Sequence, residues 1–167
     1  MLFRSKLAKD VGAKVIAGGC FFGNVGHDVV KTELVDVAVH GEGEVTIVEL
    51  IQALRNGGQP NDLREVKGIV FRDGEETVFT GNREPLADLD RLPLPAYDLL
   101  PVERYGQESR NHHALSAIEL SRGCSSACEF CVLWKQMGNF ASGRARPYVR
   151  SKSPERLLEE IRILADR

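Results

Sequence analysis

Short apolar runs that end in glycine and alternate with amphipathic segments constrain this chain more than any other feature, because that order predicts an α/β layer. "AKVIAGG" predicts a short buried strand over Ala13–Ala17, closed by Gly18-Gly19, where the backbone turns or approaches something closely. A helical segment is expected around His27–Leu34, followed by a second strand, "VDVAV", over Val35–Val39. "GEGEVTIVELIQALRNGG" predicts a helix, since Ile47, Leu50, Ile51 and Leu54 fall at i, i+3, i+4 and i+7 and Gly57 supplies the stop. Strand, helix, strand and helix at this spacing imply a parallel layer.

Beyond residue 60 the pattern changes. "VKGIVFRDGEETVFTG" holds two β-rich runs flanking Asp73-Gly74, a hairpin signal. "EPLADLDRLPLPAYDLLP" places Pro85, Pro93, Pro95 and Pro101 too close together for a helix or central strand, so Glu84–Asn111 is expected to be a connector. "ALSAIEL", Ala114–Leu120, predicts a strand that runs into a cysteine-rich loop. At the end of the chain Ser153 is a good N-cap and Pro154 suits the first helical position. Leu157, Leu158, Ile161, Leu164 and Ala165 form an apolar stripe there. That stripe has no following strand to cover it, and the first unit starts with barely one strand. The chain is therefore expected to be an internal stretch of a longer protein, unable to complete a turnover alone.

The bulk numbers set the compartment and exclude some functions. A length of 167 residues suits one domain or two small ones, and a formal net charge of -2 argues against a dedicated nucleic-acid or membrane-surface binder. The apolar runs are too short to span a membrane, and the N-terminus lacks a signal peptide's apolar core. A cytoplasmic location is expected. In a reducing compartment, clustered cysteines point to metal or catalysis rather than to disulfides.

Three of the four cysteines, Cys124, Cys128 and Cys131, lie within "RGCSSACEFC" at C-x3-C-x2-C spacing. Thiolates are soft ligands that suit iron–sulfur clusters, zinc and copper(I). Structural zinc wants four ligands, usually as two separated pairs, and only three are local here. Three thiolates on one loop can hold three irons of a 4Fe-4S cube and leave the fourth open to a substrate or cofactor. Zinc, and three packed cysteines without metal, are the alternatives to that reading.

"CSSACEFC" resembles the C-x3-C-x-aromatic-C signature of the radical S-adenosylmethionine superfamily, with Phe130 at the aromatic position. The resemblance implies that Cys124, Cys128 and Cys131 ligate a 4Fe-4S cluster, and that Phe130 lines the S-adenosylmethionine side. It further implies that the cluster cleaves S-adenosylmethionine reductively to a 5′-deoxyadenosyl radical. The order of "VIAGG", "VDVAVHGEGE", "GIVFRDG" and "PLADLDRLPLPAYDLLP" before that loop is similar to the subgroup with an N-terminal cobalamin-binding-type domain. By that likeness the fold is α/β, a partial Rossmann-like cobalamin-binding-type domain followed by the first βα unit of a partial TIM barrel. The implied division is 1–60 for the C-terminal half of the cobalamin-binding-type domain, 61–111 for hairpin and connector, and 112–167 for the start of the barrel. Gly18 and Gly19 would lie near the cofactor's nucleotide tail. The implied partners are a small-molecule substrate and an electron donor such as flavodoxin or ferredoxin. Alternatives of another class are a non-catalytic zinc or iron–sulfur module, and an inactive split-gene fragment.

The chain also departs from the pattern. The cobalt-ligating D-x-H-x-x-G is absent: His27 has Val25 where the aspartate should be and no glycine three residues on, so His27 is not read as a ligand and cobalamin stays an open expectation. No side chain is assigned a catalytic role. Cys20 is read as a packed residue, and His112-His113 as a solvated pair. Glu42 and Glu44 are read as helix-start acids favoured by the macrodipole. Arg144, Arg146, Arg150 and Lys152 with Tyr148 form the only basic cluster, read as a solvated face before an RNA-binding one. Trp134 and Met137 are expected to pack beside the loop.

Overall fold

The computed structural model describes residues 2–101, 117–140 and 142–165. These fall into two compact units, one from Met1–Leu86 with Gly123–Tyr148 and the other from Ala87–Arg122 with Val149–Arg167. Outside the main sheet, β5 (Ser121–Cys124) and β6 (Tyr148–Ser151) form a two-stranded ladder.

The first unit is built on a four-stranded sheet in the order β1 (Ile16–Ala17), β2 (Val37–Val39), β3 (Ile69–Asp73), β4 (Glu76–Phe79). Side chains alternate across it, as the pleat requires. Val37, Val39, Ile69 and Phe71 pack with Leu50 of α3 (Glu44–Arg55) and Leu63 of α4 (Pro60–Arg64). Ala38 and Val70 pack with Val30 of α2 (Cys20–Lys31). Helices therefore cover both faces. Gly26 lets α2 lie close to the sheet, since a Cβ there would meet Val70 Cγ2 at 3.2 Å and the Ala38 Cβ at 3.3 Å.

The expectation of a parallel layer is corrected in part. Only β1 and β2 run parallel; β2–β3 and β3–β4 are antiparallel. The hairpin assigned to the connector supplies these antiparallel strands, so the sheet continues past residue 60. Its loop is Gly74-Glu75, one residue on from the expected pair, because Asp73 still pairs with Glu76. Gly74 takes the positive φ (59°) that the first position of such a turn needs. An N-terminal helix, α1 (Leu2–Asp10), had no sequence signal. It is tied down through Lys9, whose Nζ donates to Asp36 Oδ1 at 2.8 Å, while Asp36 Oδ2 accepts the Val15 N–H at 2.8 Å. α2 begins at Cys20, ahead of the expected segment, because Gly19 (φ 90°) turns the chain straight from β1 into the helix.

In the second unit, 3₁₀ turns at Leu89–Arg91 and Tyr97–Leu99 bury Leu89 and Tyr97 within the proline-rich stretch. α6 (Pro154–Ala165) starts at Ser153 as expected, with Ser153 Oγ accepting the Arg156 N–H at 3.1 Å. Its expected apolar stripe is largely open, however: Leu158 and Ile161 are exposed, and the fully buried residue is Glu160. Glu160 accepts from Lys152 Nζ at 2.7 Å and from Tyr97 Oη at 3.5 Å. Burial, and then the Glu160 charge, push the Tyr97 hydroxyl above its usual range.

The strand expected over Ala114–Leu120 is also corrected. Ala114–Ser116 lie outside the described residues, and Ala117–Leu120 are not in a strand; the ladder forms at Ser121–Cys124. Local β propensity gave way to the position of the pairing strand, β6, whose flank fixes the register through Lys152 N–H to Leu120 O at 3.1 Å. β6 thus supplies a partner strand that the sequence did not reveal.

Candidate cluster loop and glycine turn

Cys124 closes β5, and the loop from it leads to Cys131 and then α5 (Leu133–Gln136). None of the four cysteines is in a disulfide. Cys128 is exposed, while Cys124 and Cys131 are half-buried. Cys124 Sγ accepts the Ser126 N–H at 3.3 Å. The loop is pinned at its middle: the Cys128 carbonyl accepts from Cys131 N–H at 3.1 Å and from Trp134 Nε1 at 2.8 Å. Trp134 therefore fastens the loop through its indole N–H. Phe130 is 91% exposed.

Three free thiols on one loop, one already accepting an N–H, fit a soft iron–sulfur centre in kind and number. Among the described residues, no three His, Cys, Asp or Glu side chains are gathered as a metal site, so ligation would require the loop to draw its thiols together.

The other feature is the turn between β1 and α2. Gly18 and Gly19 are exposed there, beyond the carboxyl end of β1 and beside that of its parallel neighbour β2. Cys20 is half-buried, and its carbonyl accepts from Gln136 Nε2 at 2.9 Å. Gln136 is 4% exposed and carried no sequence signal, since a lone glutamine belongs to no motif. His40, just past β2, places Nδ1 2.7 Å from the Gly23 carbonyl.

The remaining sequence candidates separate. Glu42 Oε2 accepts the Leu86 N–H at 3.0 Å, a structural role, and Glu44 lies in the first turn of α3. His27 is exposed on α2, its ring 6.2 Å from that of Phe79. His112 and His113 lie outside the described residues. The basic cluster is not one solvated face, because Arg150 is buried and Lys152 is paired with buried Glu160, while Arg144 and Arg146 are exposed.

Comparison with known proteins adds the lineage. No family model matches. The chain is 32% identical over 148 residues to an anaerobic magnesium-protoporphyrin IX monomethyl ester cyclase of Synechocystis sp., covering 88% of this chain and 27% of that protein. It is 35% identical over 135 residues to a hopanoid C-3 methylase of Methylococcus capsulatus, covering 80% and 22%. Its fold matches a radical S-adenosylmethionine methyltransferase, TsrM from Kitasatospora setae with cobalamin and a [4Fe-4S] cluster bound, at TM-score 0.61 and 17% identity over 98% of this chain and 31% of that one. This chain belongs to the radical S-adenosylmethionine superfamily, in the subgroup with an N-terminal cobalamin-binding-type domain. This radical S-adenosylmethionine chain spans about a quarter of the length of the curated relatives it matches. Among its described residues no helix is long and apolar enough to cross a membrane.

Proposed function

We propose that this chain is the part of a radical S-adenosylmethionine enzyme that holds a 4Fe-4S cluster on Cys124, Cys128 and Cys131 and leaves one iron free for S-adenosylmethionine. The observation that carries the reading is the free three-thiol loop between β5 and α5, on a chain whose fold follows that of a cluster-bearing methyltransferase. When bound, the cluster would supply the one electron that splits S-adenosylmethionine into methionine and the 5′-deoxyadenosyl radical.

The chain's own residues ligate and orient. The Ser126 N–H holds Cys124 Sγ in place, and the Trp134 indole holds the Cys128 carbonyl so that the middle of the loop keeps its shape. Phe130, exposed on the loop, would line the S-adenosylmethionine side. Gly18-Gly19 let a cobalamin nucleotide tail approach the backbone beyond β1. On this reading the sheet with α2 and α3 is part of a Rossmann-like cobalamin-binding domain, and the stretch from β5 to α6 is the first βα unit of a partial barrel. A small-molecule substrate and a flavodoxin- or ferredoxin-type electron donor are the partners that such chemistry needs.

Anaerobic reconstitution with iron and sulfide tests the cluster. The parent is expected to take up about four irons per chain, and Cys128→Ala to lose most of that iron. Stoichiometric zinc without iron in the parent, or equal iron in both proteins, would contradict the reading.

A further inference from the structure

Gln136 stands out among the buried polar side chains of the first unit because it joins two pieces of the candidate machinery that are distant in sequence. It ends α5, the short helix that follows the cysteine loop, and its amide reaches 116 positions back to the Cys20 carbonyl at 2.9 Å. Gly23 makes room for it: a Cβ at Gly23 would stand 2.8 Å from Gln136 Nε2 and 3.0 Å from its Cδ. The Gln136 carbonyl lies on the other side, 3.4 Å from where a Cβ of Gly41 would be, just past β2. The Gly23 carbonyl is in turn engaged by His40. One residue thus touches the first turn of α2 with its side chain and the loop beyond β2 with its backbone carbonyl.

We infer that Gln136 is a positioning residue that couples order in the cysteine loop to order in the Gly18-Gly19 turn. The inference rests on the proposed cluster at Cys124, Cys128 and Cys131. The Gln136 amide donates to a carbonyl in the first turn of α2, so a loop and α5 fixed by ligation hold that turn in place. A turn fixed by its own ligand holds α5 in return, because coupling between two sites is reciprocal. The cluster loop and the glycine turn therefore fill cooperatively.

Two substitutions isolate the joint. Gln136→Leu keeps a similar volume and removes the donor. Gly23→Ala leaves Gln136 intact and takes its space, and it is informative because alanine is the better former of a helix interior. A loss of order in α2 from that change opposes its propensity and reports on the notch.

The measurement is amide hydrogen exchange on the full chain, iron-free and after anaerobic reconstitution. In iron-free protein both variants are expected to exchange several-fold faster than the parent across the first turn of α2 and across α5, with β2 and β3 unchanged. Reconstitution is expected to slow the first turn of α2 in the parent and to leave that turn unchanged in Gln136→Leu that has taken up iron. A purely structural role would give the same slowing in both. Unchanged exchange in the iron-free variants, or equal slowing on loading, overturns the coupling. Failure of the parent to take up iron overturns the cluster assignment instead, and the iron-free arm then still decides whether Gln136 joins the two segments.

Discussion

Asp36 connects three segments through one carboxylate: Lys9 of α1, the Val15 N–H just before β1, and its own position just before β2, with Lys14 at 3.5 Å. Burial pushes its carboxyl upward, but the Lys9 hydrogen bond, the Val15 N–H and the two lysine charges outweigh that and hold it below its ordinary value of 3.8. A depressed folded value means stability that is present above the unfolded value and lost as pH falls through the folded one. Asp36→Asn is therefore expected to lower the urea midpoint at neutral pH, with the gap from the parent closing as pH drops below 3.8. Urea titrations from pH 7 to pH 3 check this, and a gap independent of pH would contradict it. At this scale the loop's donors were legible because Cys124, Cys128 and Cys131 share a short spacing. Gln136 and Asp36 were not, since what each does depends on a carbonyl, an N–H or a lysine brought near only by folding.

Elements specified by local pattern were read well, and those specified by distant partners were not. α3, the Ser153 cap of α6 and the β3–β4 hairpin each carry a period, a cap or a turn within their own residues. β5 and β6 exist because they pair with each other, and α5 is only four residues long, too short for any period. The stripe on α6 shows the converse, a clear period whose exposed Leu158 and Ile161 lie beside a fully buried Glu160. α2 depends on a contact that the sequence marks only as a glycine. Gly26→Val would drive a branched side chain into Val70 and Ala38, lifting the helix that carries the glycine turn. The expected cost is about 1–3 kcal/mol by overpacking, read as a lowered denaturant midpoint with an unchanged slope. A midpoint equal to that of the parent would show that α2 is free to shift.

For the whole molecule, the sequence divisions at residues 60 and 111 and the compact units follow different logics. The sequence divides where composition changes, whereas the hairpin joins the sheet before it and Gly123–Tyr148 cluster with the first unit. Family membership accounts for the cysteine loop and the sheet being present on one chain. The proposed open iron accounts for the loop's three thiols where a closed structural site would have four. The measurement that reaches this claim most directly is electron paramagnetic resonance of the reduced, reconstituted chain with and without saturating S-adenosylmethionine. An iron left free by the protein predicts that adding S-adenosylmethionine shifts the cluster signal, and that Cys128→Ala shows neither signal nor shift. A cluster signal that S-adenosylmethionine leaves unchanged would contradict it.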